Sequence, residues 1–110
     1  MNHLKRFNQQ DLNISEIEKL EIEDIFRDIS DEFSLKVCHT SAEIEGTYKM
    51  WYCLDRIQFD IFCQNDVERR NIRRFIHKNF QLRIISIGFN CRLNTTNNRN
   101  EISIYIEKKK

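Results

Sequence analysis

A cluster of basic side chains is the strongest chemical feature of the sequence. Five cations share one arc of a helix at about 100° per residue: Arg70, Arg73, Arg74, His77 and Lys78. Arg69 lies at the edge of this arc. Guanidinium groups form paired, directional hydrogen bonds with phosphates and carboxylates. The pattern therefore predicts a surface that binds nucleic acid or an acidic protein.

An internal partner for these cations is the competing interpretation. The first predicted helix has an acidic outer face, which consists of Glu16, Glu23, Asp24, Asp28 and Asp31. If the two helices lie side by side, their rims can form exposed ion pairs, each contributing about 0.2–1 kcal/mol. The sequence leaves open whether the basic face is neutralised internally or binds a partner.

The cysteines do not have the spacing of a metal site. Cys38, Cys53, Cys63 and Cys91 are 15, 10 and 28 positions apart, and the chain has no closely spaced pair of cysteines or of histidines. Cys63 and Cys91 continue apolar strand patterns, in which cysteine acts as a small hydrophobic residue. We therefore expect no metal and no cofactor.

The remaining motifs do not indicate catalysis. The chain has only two glycines and lacks a glycine-rich phosphate loop, a Gly-x-Ser-x-Gly elbow and a His-Glu-x-x-His pair. General acid–base catalysis needs a carboxylate whose pKa is shifted by burial or by a close partner, whereas Glu21, Glu23, Asp24 and Asp28 are expected on an exposed helical face. We expect a protein that is not an enzyme.

Two apolar features offer other contact surfaces. Ile17 and Leu20 lie outside the core arc of the first helix, where they either pack against Leu12 or form a partner-binding patch. Trp51 points away from Tyr48 and Tyr52 on a predicted strand. An open sheet face with Trp51, joined by Phe62 and Tyr105, would stack nucleobases or form an interface, and a homodimer through this face is one expectation.

The composition indicates one globular domain. The 110 residues are 40% hydrophobic and 32% charged, with a net charge of +1. This near-neutrality conceals an uneven distribution, because residues 1–45 contain 11 acidic and 5 basic residues, whereas residues 46–110 contain 6 and 13. No segment has the apolar length of a signal peptide or a membrane span, so we expect a cytoplasmic protein with reduced thiols.

The first half of the chain predicts a helix followed by strands. A capping box at Ser15 and Glu18 opens an amphipathic helix over residues 16–33, and the alternation of Leu35 and Val37 predicts a strand over residues 34–41. Residues 47–63 form either one long strand or two strands, near 47–53 and 57–63.

The second half predicts a helix and two further strands. Asn65 caps a helix over residues 66–80. A strand near 82–91 would place Ile85, Ile87, Phe89 and Cys91 on one face, and a strand near 101–107 would do the same for Ile102, Ile104 and Ile106.

The resulting order, α-β-β-(β)-α-β-β, predicts an α+β fold. Its largely antiparallel sheet of four or five strands has two amphipathic helices on one face. We divide the chain into a polar lead-in (1–14), a single domain (15–107) and a basic tail (108–110). The α-β-β-β-α segment resembles double-stranded RNA-binding domains in element order. The chain lacks the Gly-Pro-x-His type loop and the Lys-Lys-x-Ala-Lys helix start of that family, so no residue role is carried over.

These observations favour a small binding protein that acts through a macromolecular partner. The partner is another protein, or in the alternative nucleic acid bound by the basic face of the second helix. In size, residue usage and dipolar helical faces the sequence resembles phage accessory proteins, including inhibitors of host defence, and bacterial toxin-immunity proteins.

Overall fold

The structure, a computed structural model, describes residues 13–96 and 100–109, without the side chain of Thr96. Residues 1–12 of the predicted lead-in lie outside the described residues. They include Leu12, which was one expected packing partner of Ile17 and Leu20. Helix α1 is Glu16–Glu32, and its capping box is formed by Ser15 and Glu18 as predicted. The second helix is Asp66–Ser86 in three parts: α2 (Asp66–Phe75), a π-helical turn (Ile76–Phe80) and α3 (Gln81–Ser86).

The strands form one five-stranded sheet. They are β1 (Lys36–Val37), β2 (Thr47–Tyr52), β3 (Arg56–Phe62), β4 (Phe89–Thr96) and β5 (Glu101–Lys108). Their order across the sheet is β1-β2-β3-β5-β4, and all neighbours are antiparallel except β1 and β2. The predicted α+β fold and the largely antiparallel sheet are confirmed. Residues 47–63 form two strands, with a tight turn at Cys53 to Asp55.

The hydrophobic core lies between this sheet and the two helices. β3 and β5 contribute alternate residues that are almost completely buried, namely Ile57, Phe59, Ile61, Ile102, Ile104 and Ile106. α1 covers them with Ile22, Ile25, Phe26 and Ile29. Because side chains alternate across a strand, the same register places the intervening residues on the other face. No helix of the described residues packs on that second face, which we call the open face.

The second helix extends six residues beyond its predicted end, and the strand predicted near 82–91 is wrong in its first half. The buried residues Ile72, Ile76, Phe80 and Ile84 recur every four positions. In a regular α-helix this spacing drifts by about 40° per step. The wider π-helical turn takes up the drift and keeps all four side chains on the sheet.

The misassignment has a local cause. The stretch Ile84-Ile85-Ser86-Ile87 fits an alternating pattern as well as a helical one, and the strand prediction buries Ile85 and Ile87. In the structure Ile84 is fully buried, whereas Ile85 is 40% exposed. Gly88 ends the helix in the left-handed region at φ +99°, which favours glycine, and β4 begins at Phe89.

Two smaller corrections concern the strands. β1 has only two residues, and Val37, predicted to alternate with Leu35, is exposed. β5 includes Lys108, which we assigned to the basic tail.

No helix in the described part of the chain is long and apolar enough to cross a membrane.

Because residues 81–86 are helical, we predict that substitutions at two neighbouring positions lower the free energy of unfolding by different amounts. Ile84→Ala should lower the free energy of unfolding by about 2–5 kcal/mol, since it leaves a cavity in the core. Ile85→Ala, at a partly exposed position, should cost less than about 1 kcal/mol. Urea denaturation of both variants measures the difference, and a larger loss for Ile85→Ala would restore the strand assignment.

Candidate partner-binding surfaces

The five predicted cations lie together on the outer side of the second helix. Arg70, Arg73, Arg74, His77 and Lys78 are all exposed and together line one shallow depression. We call this group the basic face. The depression exists because the helix turns its apolar stripe toward the sheet and leaves the long cationic side chains around a common centre. Arg69 lies apart, partly buried, with its guanidinium 3.4 Å from Asp66 Oδ1.

The basic face is not neutralised by the first helix. Among residues 13–96 and 100–109, no ion pair involves Arg70, Arg73, Arg74 or Lys78. One pair joins the two helices, and it connects Asp28 to Arg83. Arg83 lies in α3, at a position predicted to be in the strand near 82–91. The ion pair between the two helices therefore lies at α3, beyond the C-terminal end of the basic face.

The outer side of α1 is also free for contact. Its exposed carboxylates are Glu16, Glu21, Asp24, Asp28, Asp31 and Glu32, and we call Glu21, Asp24, Asp28 and Asp31 the acidic face. Glu23, predicted to be part of this set, is partly buried and accepts a hydrogen bond from the Tyr52 hydroxyl. Asp28 and Asp31 line a depression together with Phe75, Asn79 and Arg83 of the second helix, whereas the basic face lines a separate depression.

The apolar residues predicted for an interface are exposed. Ile17 and Leu20 are 79% and 61% accessible, respectively. Both are on the outer side of α1 near its first turn, and neither joins the core. An exposed pair of aliphatic side chains next to the acidic face gives the helical layer a mixed apolar and charged surface.

The open face of the sheet has one row that crosses four strands. The register places Trp51 opposite Gln58, Gln58 opposite Tyr105, and Tyr105 opposite Arg92. Trp51 is 51% exposed. Phe62, which we expected to share this surface, is buried, and the Lys49 ammonium lies 5.4 Å from the centre of its ring. Phe62 therefore contributes no accessible ring.

A buried carboxylate organises this row. Asp60 Oδ2 accepts a hydrogen bond of 2.6 Å from the Trp51 indole, and Asp60 Oδ1 accepts bonds from Ser103 Oγ (2.8 Å) and Gln58 Nε2 (3.0 Å). Asp60 is only 8% exposed. Three donors compensate for the loss of hydration that burying a carboxylate entails. Sequence reasoning missed Asp60 and Ser103, because their contact depends on the pairing of β3 with β5.

The thiols fall into two groups. Burial raises the pKa of Cys63 and of Cys91 to about 12. Cys38 is partly exposed, and the Thr40 hydroxyl, 3.5 Å from its sulfur, is the main cause that lowers its pKa. Cys53 is exposed. In the described part of the chain, no three side chains of the types that bind metals converge on one point.

Searches against protein families, curated proteins and solved structures find no match to this chain. The function must therefore be argued from these surfaces.

The two groups of thiols predict a split in reactivity. Iodoacetamide should alkylate Cys38 and Cys53 at least about 100-fold faster than Cys63 and Cys91, because the thiolate is the nucleophile and buried thiols have neither charge nor access. Peptide mass spectrometry after timed labelling at pH 8 measures the four rates. Equal rates at all four positions would contradict the buried placement of Cys63 and Cys91.

Proposed function

We propose that this chain is a non-enzymatic binding protein whose basic face contacts a carboxylate-rich surface of another protein. The observation that carries the proposal is the convergence of Arg70, Arg73, Arg74, His77 and Lys78 on one depression, where the four lysine and arginine side chains form no ion pair within the described residues. Such a cluster of like charges repels itself in the free protein, and carboxylates from a partner would relieve that repulsion.

The length and chemistry of the basic face suit a short acidic segment. Arg70 and Lys78 are eight positions apart, which corresponds to about 12 Å of helix. Arginine makes bidentate hydrogen bonds to carboxylates and is enriched at interface hot spots. Charge complementarity of this kind mainly raises the association rate and the specificity. Two or three turns of an acidic helix would be long enough to cover it.

The neighbouring acidic face favours a protein over a nucleic-acid duplex. Packed helices lie about 8–10 Å apart, which is less than the width of a duplex. A duplex that lay across both helices would therefore bring phosphates near Asp28 and Asp31, where like charges repel. A protein surface can place carboxylates over one helix and cations or apolar groups over the other.

The exposed aliphatic pair on α1 extends the same contact surface. Ile17 and Leu20 lie on the helical layer together with the acidic and basic faces, and a partner that spans this layer would bury them. Apolar contacts surrounded by charged groups are the usual anatomy of a protein interface. The proposed class includes phage inhibitors of host defence and toxin-immunity proteins, which act by occupying a partner's surface.

Reversal of two central charges tests the proposal. Arg73→Glu with Arg74→Glu should weaken binding to the partner at least about 100-fold, because each change replaces an attraction with a repulsion. The measurement is a stoichiometric pulldown from cells of the source organism, or from cells that a source phage infects, followed by calorimetry with the recovered protein.

A matched control has the same change of net charge elsewhere. Lys36 and Lys109 are exposed cations that belong neither to the helices nor to the residues proposed to bind a ligand. Lys36→Glu with Lys109→Glu should retain the partner, provided that both double variants unfold at the same urea concentration as the wild type. Equal loss in the two double variants, or undiminished capture by Arg73→Glu with Arg74→Glu, would contradict the proposed site.

Nucleic acid bound at the same basic face is the second candidate, favoured by the unpaired guanidinium groups. The four arginine and lysine side chains of the basic face, in contact with duplex phosphates, predict that the logarithm of the affinity falls with the logarithm of the salt concentration at a slope of about −3.6. Fluorescence anisotropy with a labelled DNA duplex between 50 and 200 mM salt measures this slope. No binding at 50 mM salt removes this candidate without affecting the protein-partner proposal.

A further inference from the structure

The open face has the side chains of a stacking surface on the opposite side of the sheet from the basic face. Trp51 and Tyr105 lie in one row, separated by the strand that contributes Gln58. Since neighbouring strands are about 4.8 Å apart, the two aromatic side chains start about 10 Å from each other. Both point away from the helices, and Trp51 is half exposed.

The Trp51 ring is held in place before any ligand arrives. Its indole N–H donates to Asp60, and the other carboxylate oxygen of Asp60 is occupied by Ser103 and Gln58. The network fixes the polar edge of the indole and leaves part of the ring in solvent. Because the Trp51 side chain is already fixed, stacking of a ligand on its ring costs less side-chain entropy than stacking on a freely rotating ring.

Two arginines flank the second aromatic side chain. The Arg92 guanidinium carbon lies 4.6 Å from the centre of the Tyr105 ring, and that of Arg56 lies 5.5 Å away. Arg92 also approaches Glu107 at 3.4 Å, and its side chain is 65% exposed. Guanidinium planes stack on bases as aromatic rings do, and their N–H groups bind phosphates.

We propose that the open face binds single-stranded nucleic acid, with a base stacked on Trp51, a second base next to Tyr105, and phosphates held by Arg56 and Arg92. Single strands fit because their base faces are accessible, whereas those of a duplex are covered by stacking. The combination of aromatic faces and flanking cations is the chemistry that sequence-tolerant single-strand binding uses. The inference does not depend on the proposed function, because it uses the opposite side of the sheet.

The chain has a built-in reporter for this site, since Trp51 is the only tryptophan. Titration with an oligothymidylate of about 12 nucleotides should quench Trp51 fluorescence with saturation, because a stacked base contacts the ring directly. With only two phosphate-binding arginines, the salt slope should be shallow, about −1.4. A slope near −2.8, as expected for four cations on a single strand, would place the strand on the basic face instead and overturn the proposal.

Variants read out with a fluorescently labelled strand separate stacking from charge. Trp51→Ala should weaken binding about 5- to 150-fold, whereas Trp51→Phe, which keeps an aromatic face, should lose much less. Asp60→Asn weakens the acceptor of the indole N–H, so it should lower both the affinity and the fluorescence anisotropy of Trp51 in the free protein. Unchanged affinity in Trp51→Ala would contradict the stacked base.

Two double charge reversals provide the matched control. Arg56→Glu with Arg92→Glu should abolish binding of the strand, and Arg73→Glu with Arg74→Glu should leave it within about twofold at 150 mM salt. The reverse result would overturn the proposal. So would an absence of quenching at 50 mM salt, or a Trp51 emission that shifts with protein concentration alone, which would identify the open face as the interface of a homodimer.

Discussion

The structure depends on the contact of three phenylalanine rings that join both helices to the sheet. Phe26 of α1 stacks on Phe59 of β3, with ring centres 4.0 Å apart and planes 3° from parallel. Phe80 of the second helix meets both rings edge to face, at 5.9 and 6.3 Å. Buried aromatic pairs of these geometries stabilise a core beyond the area that they bury. This cluster fixes where each helix lies on the sheet and therefore which surfaces remain exposed.

The position of Phe80 also explains the unusual shape of the second helix. Phe80 is the last residue of the π-helical turn, and Ile84 follows one turn later on the same buried stripe. Without the wider turn, the four-residue spacing of the stripe would carry its last members away from the sheet. With it, the helix continues to Ser86 and brings Arg83 to Asp28. The ion pair that joins the two helices in the described part of the chain thus follows from a packing requirement of the core.

The arrangement divides the surface of the described chain into three regions with different chemistry. The helical layer carries the acidic face on α1 and the basic face on the second helix, and the open face carries Trp51, Tyr105 and two arginines. Each region exists because the core occupies one side of the sheet and the inner stripes of both helices. The two proposals assign different ligands to opposite sides of the sheet, so the residues that one proposal uses lie outside the site of the other.

The features that depend on neighbouring residues can be predicted from the amino-acid sequence. The capping box at Ser15, the cationic arc from Arg70 to Lys78, and the alternation in β3 and β5 follow from spacing along the chain, because local geometry repeats with a fixed period. In contrast, the burial of Ile84 rather than Ile85, and the ion pairing between the two helices, depend on the tertiary fold. The same is true of the hydrogen bonds that Asp60 accepts from Trp51 and from Ser103, which is 43 positions away from Asp60 along the chain. Such contacts depend on strand register and helix placement, and these are set by the packing of distant segments into a common core.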